Sequence, residues 1–96
     1  MTYVHIDHMV KDYDAWKPAF DEHDEMRVEM GQQCYYLFQS SDDPNHVVIA
    51  IEFDTAENAH AFVDSKDLRE RMKEAGVKGK PQISFLELAE QQDLAQ

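Results

Sequence analysis

Ninety-six residues, 43% of them hydrophobic, with a net charge of −11, describe one small acidic domain. That charge repels nucleic acid and anionic lipid, which sets both aside as partners. A single cysteine, Cys34, excludes an internal disulfide and a multi-cysteine metal site.

Residues 2–10 alternate, with Val4, Ile6, His8 and Val10 on one side and Tyr3, His5, Asp7 and Met9 on the other. This pattern predicts a strand with one apolar face. Residues 12–30 predict a helix, capped by Asp12 or Asp14 and ended by Gly31. Pro18 requires regular hydrogen bonding to start near Lys17, or the first turn to bend. At helical spacing Trp16, Ala19, Phe20, His23, Met26, Arg27 and Met30 form one stripe, so His23 lies near its middle with Arg27 beside it.

Residues 33–40 and 46–54 predict two strands joined by a turn at Ser41–Asn45. An even-length loop centred on Asp43-Pro44 pairs Phe38 with Ile49 and Tyr36 with Ile51. Cys34, Tyr36 and Phe38 then share a face with Ile49, Ile51 and Phe53, and an odd loop shifts that register. Thr55 opens a helix through Ala59, Phe62 and Val63, and a break at Ser65 leads to a short helix that Gly76 ends. GVKGKP is expected as a loop, residues 81–89 as the last strand, and 90–96 as a polar tail, loose or laid across a partner. One domain thus spans 1–89.

Two helical segments cover only one face of a four-stranded sheet, yet the middle strands are apolar on both faces. A wet Leu37, Val48, Ile83 and Phe85 would form a large apolar patch, and a second copy of the sheet is the simplest cover. A core this small is also marginal alone. The expected fold class is α+β, a ferredoxin-like β-α-β-β-α-β chain with a four-stranded antiparallel sheet, closing as a homodimer. No charged-then-apolar leader and no apolar run near ~18 residues is present, so the expected location is cytoplasmic.

The run Asp12-Tyr13, Trp16-Lys17, Phe20-Asp21, His23, Arg27 and Gly31 resembles the D-Y-x-x-W-K-x-x-F-D-x-H-x-x-x-R-x-x-x-G pattern of small dimeric α/β-barrel proteins. These are grouped with antibiotic-biosynthesis-type monooxygenases and cyclase-like proteins. Leu68-Arg69-Glu70-Arg71-Met72 and Ala75-Gly76-Val77 are similar too. The resemblance covers nearly all of residues 3–88 and implies the dimeric α/β barrel more specifically than any one activity. The superfamily holds cofactor-free oxygenases, aromatic cyclases, haem-degrading enzymes and stress-response barrels without known chemistry. The haem-degrading pattern needs an Asn on the first strand, which this chain lacks, and the one Trp here sits on the first helix.

His8, on the strand face turned to the helices, joins His23, Arg27 and Tyr36 around a half-buried pocket walled by Trp16 and Phe20. Such a pocket suits an aromatic or polyketide-like ligand with an acidic hydroxyl. His8 or His23 is the candidate base, because a neutral imidazole accepts a proton near pH 7. Arg27 is the candidate holder of the resulting anion. Trp16, Phe20 and Tyr36 are the candidate substrate contacts, and no cofactor is called for. The bland alternative has His23 filling space with its ring hydrogen-bonded, and Arg27 lying over Phe20 and paired with Asp24 or Glu52.

No histidine spacing matches a metal site: His5 and His8 fall on opposite strand faces. Cys34 suits packing better than nucleophilic chemistry. Six of the nine basic residues, Lys66, Arg69, Arg71, Lys73, Lys78 and Lys80, crowd one segment. They form a solvated face, an anion-attracting rim, or a charge-matched subunit contact. Two functions therefore stand against each other: a cofactor-independent monooxygenase or cyclase, and a non-catalytic stress-related or interaction module.

Overall fold

The computed structural model describes residues 1–93. Strand β1 (Thr2–Val10) carries the expected alternation, with its even-numbered residues buried and its odd-numbered ones half-buried. Helices α1 (Tyr13–Glu22) and α2 (Asp24–Glu29) follow, then β2 (Gln32–Gln39), β3 (His46–Phe53), α3 (Ala56–Asp64), α4 (Lys66–Glu74) and β4 (Val77–Glu87). The four strands form one antiparallel sheet in the order β2-β3-β1-β4, the expected ferredoxin-like arrangement. Val4, Ile6, Val47, Ile49, Ile51 and Phe53 turn one sheet face to the helices, which supply Trp16, Phe20, Ala59 and Phe62 to the same core.

Local signals set the helix ends. Asp12 accepts from the Asp14 amide, Thr55 from Asn58 and Ser65 from Leu68, each answering an amide that a helix start leaves open. The first helix is not continuous to residue 30: it breaks at His23, whose backbone leaves the helical region. Pro18 lies inside α1 on its exposed side, where the carbonyl one turn earlier can turn to water. Helix α4 has no buried residue and rests on the core through the half-buried Leu68, Met72 and Ala75.

The register of β2 differs from expectation. Leu37 pairs with Ile49 and Tyr35 with Ile51, while Phe38 and Tyr36 pair with Val48 and Ala50. Seven residues, 40–46, separate the paired Gln39 and Val47, an odd number, and the Ser40 amide on the His46 carbonyl (2.9 Å) and the Asn45 amide on Asp43 (2.9 Å) hold them. One residue of slip inverts every side chain. Tyr35 and Leu37 therefore join the core, and Cys34, Tyr36 and Phe38 occupy the opposite face. The GVKGKP segment is not a free loop either. It begins β4, with a bulge between the Asp7 and Met9 pairings that absorbs Gly79 at φ +66°. β4 is an edge strand, where Pro81 is tolerated. Of the expected tail, residues 90–93 are exposed without regular structure, and 94–96 lie outside the described residues.

Gly31 follows α2 at φ +110°, and an added Cβ would strike the Asp54 carboxylate, which is itself held by Asn58 (2.8 Å). Gly31→Ala should therefore lower unfolding free energy by about 1–3 kcal/mol in urea denaturation. Gly79→Ala, with nothing near the new methyl, should cost less. Equal losses at the two sites would contradict this account of the α2–β2 turn.

Candidate functional site

His8 enters the core from β1 between Ile6 and Val10. Its Nδ1–H donates to the Val47 carbonyl (2.9 Å), which fixes the tautomer and leaves the lone pair on Nε2. Among the described residues no hydrogen bond engages Nε2, and the ring stands edge-on to Trp16 (5.7 Å, 80°). Burial pushes the imidazole below its ordinary value of 6.5, partly opposed by the Val47 bond, so it stays neutral.

Trp16 stacks on Phe20 (5.1 Å), and Phe20 meets the Tyr35 ring edge-on (5.1 Å). The guanidinium carbon of Arg27 lies 3.9 Å over Phe20. Arg27 is only 3% exposed, and partners surround its guanidinium. Nε donates to Gln32 Oε1 (2.9 Å), Nη1 to the Phe20 carbonyl (2.9 Å), and Nη2 lies 3.5 Å from Asp24 Oδ1. Gln32 Nε2 also donates to Asp24 (2.9 Å). Arg27, the expected anion holder, thus lies over Phe20 and beside Asp24, as in the alternative packing role.

His23 is half-buried at the α1–α2 break and accepts from Arg71 Nη1 through Nε2. Burial first, then the Arg71 and Arg27 charges, lower its affinity for a proton. Arg71 also binds Asp67 through Nε (2.8 Å). His8, Trp16, Phe20, His23 and Arg27 all line one cavity of about 50 Å³, with Leu68, Arg71 and Met72 as its α4 wall. That space admits water rather than an aromatic ring. Tyr36, expected here, lies on the other sheet face and is half exposed, because of the β2 register; Tyr35 packs on Phe20 in its stead. In the sequence Arg71 reads only as one of a basic run. Its signal was the spacing Leu68, Arg71, Met72, which puts a cation on the apolar side of α4.

The open sheet face has its own polar pairs. His46 meets Asp7 (2.7 Å), Cys34 lies 3.6 Å from Glu52, and a hydrogen bond to Glu52 raises the Tyr3 phenol to about 12. Burial raises the Cys34 thiol, which keeps it protonated. Among the described residues no three His, Cys, Asp or Glu side chains gather as a metal site, and no helix is long and apolar enough to cross a membrane.

No protein-family model matches the sequence, and no curated protein matches it. Solved structures do. A candidate antibiotic biosynthesis monooxygenase of Nitrosomonas europaea shares 19% identity at a TM-score of 0.73, over 94% of this chain and all of its own. A similarly described protein of Bordetella bronchiseptica gives 16% and 0.74, over 92% and 97%. SnoaB, a cofactor-independent oxygenase from Streptomyces nogalater, gives 11% and 0.71, over 99% and 96%. The fold is that of these solved antibiotic-biosynthesis-monooxygenase-like structures, ferredoxin-like α+β.

Two histidines held below 6.5 bind protons more readily in the unfolded chain than in the native one. Their neutral packing therefore stabilises fully above pH 6.5, and that stability is lost as pH falls below it toward their native values. Denaturation between pH 7.5 and 5 should show this decline, and His8→Gln should flatten it; an unchanged slope would show that His8 is not held neutral.

Proposed function

We propose that the protein is a homodimer that binds a small aromatic or polyketide-like molecule, with His8 as the base of a cofactor-independent oxygenation or cyclisation. The observation that carries this is His8 itself: a buried neutral imidazole, tautomer fixed by Val47, with Nε2 uncommitted at a cavity walled by aromatic rings. Taking a proton from an acidic hydroxyl yields the enolate that reacts with O₂ in an oxygenase or attacks a carbonyl in a cyclase. Arg71 is the more exposed cation at the cavity and the better placed to hold that anion, while three of the five N–H donors of Arg27 are engaged by Gln32, Phe20 and Asp24. The likeness to SnoaB supports the chemical class.

Entry of a ring requires the 50 Å³ cavity to widen. Its wall includes Met26, Leu68 and Met72, flexible side chains, two of them on a helix with no buried residue. Trp16 is the only tryptophan, so its fluorescence reports the site. Hydroxyaromatics such as naphthols should quench it saturably. His8→Gln should leave that binding within a few-fold and reduce O₂ uptake or ring closure by roughly 10²–10⁴. Absence of any ligand-induced change, together with unaltered turnover in His8→Gln, would remove the proposal. The tight cavity and the internally paired Arg27 favour the second reading, a non-catalytic stress-related or interaction module, which predicts that negative outcome.

The dimer is supported by the uncovered sheet face. Tyr36, Phe38 and Leu86 are 50%, 55% and 47% exposed there, beside half-buried Val48 and Ala50. They take the place of Leu37, Ile83 and Phe85, which belong to the helix side. Sedimentation at micromolar concentration should give the dimer mass, and Phe38→Glu should give a folded monomer. A well-folded wild-type monomer would refute the closure.

A further inference from the structure

The far side of α4 holds more open space than the His8 cavity. A groove of about 580 Å³ runs between α4 and β4, within the range of small-molecule sites. Its floor is Val63, Leu68, Met72, Val77 and Ile83, all half-buried. Its rim is Arg69 and Lys73, one helical turn apart, facing Lys80 from the β4 bulge. In a chain of twenty acidic and nine basic residues, three cations and no carboxylate line this space. None of the three has an ion-pair partner among the described residues; of the three acids of α4, Asp67 is taken by Arg71, and Glu70 and Glu74 do not line the groove.

We propose that this groove binds an amphipathic organic monoanion, a carboxylate or sulfonate with an apolar body. The headgroup meets Arg69, Lys73 and Lys80, and the body covers Leu68, Met72 and Ile83. A polyanion is disfavoured, because the surrounding −11 chain repels it beyond the reach of three local cations. The bulge defines the specificity: Gly79 at φ +66° lets β4 swell by two residues, and that excess carries Lys80 to the rim. Leu68 and Met72 line both this groove and the His8 cavity, so an occupant here bears on the wall between them. The site stands on its own observation and does not require chemistry at His8.

The full chain, loaded with anilinonaphthalene sulfonate, is titrated with decanoate and separately with decanol, and dye displacement is read. Decanoate should displace the dye where decanol does not, and added salt should weaken it. The double variant Lys73→Gln/Lys80→Gln, altered only at exposed positions, should bind decanoate roughly tenfold more weakly. His8→Gln should retain the wild-type value. Equal displacement by decanol, or unchanged affinity in the double variant, overturns the proposal. So does loss of decanoate binding in His8→Gln alone, which moves the anion to the His8 cavity. Failure of decanoate to bind, with weaker self-association of the double variant in sedimentation, gives the groove to a second copy and likewise overturns it.

Discussion

A guanidinium sealed inside an apolar layer admits few chain paths. Left unpaired, the buried charge of Arg27 would cost several kcal/mol, so the backbone around it must bring acceptors to it. Three do arrive, from three places: the Phe20 carbonyl at the end of α1, Asp24 in the first turn of α2, and Gln32 at the start of β2. The Phe20 carbonyl accepts the His23 amide (3.3 Å) as well as Arg27, and as part of the negative end of the α1 dipole it favours a cation. The break at His23 lies where that carbonyl is shared between the His23 amide and the guanidinium. The clamp in turn fixes where His23 points and where β2 enters the sheet. Arg27 thus builds the frame of the cavity that it also lines.

The two sides of the helical layer are held unequally. α1 brings Trp16 and Phe20 into the core and α3 brings Ala59 and Phe62, while α4 buries nothing fully. With few buried contacts, α4 belongs to the part of the fold that opens at least cost. It is also the element that separates the small His8 cavity from the large cationic groove. A packed interior is therefore compatible with ligand entry, provided the motion is confined to that helix and its methionine and leucine side chains.

Elements with a single dominant period were legible in the sequence. The alternation of β1 placed His8 on the helix face, and the stripe from Trp16 to Met30 brought Phe20, His23 and Arg27 toward it. What was illegible depended on contacts between elements. The 3.6-residue period runs through His23 undisturbed, and only Gln32 and Phe20 around Arg27 reveal the break. The hydrophobic pattern of Cys34–Phe38 suits either register, so the parity of the 40–46 connection decided which aromatic residues were core. Gly79 and Pro81 carry turn chemistry, yet an edge strand with a bulge accommodates both.

The same distinction separates the histidines. His8 and His23 both sit on an apolar stripe, and composition treats them alike. Their hydrogen bonds do not. In His23 the Nε2 lone pair is spent on Arg71, beside two positive charges that oppose protonation. A base in that position must break an existing bond before it accepts a proton. In His8 the carbonyl of Val47 holds the other ring nitrogen, which orients the ring and leaves Nε2 available at the cavity. The Val47 carbonyl would also stabilise the imidazolium formed on proton transfer, offsetting part of the cost of burial. Of the two, His8 alone combines a fixed tautomer with a free acceptor, and it does so from the strand rather than from the helix.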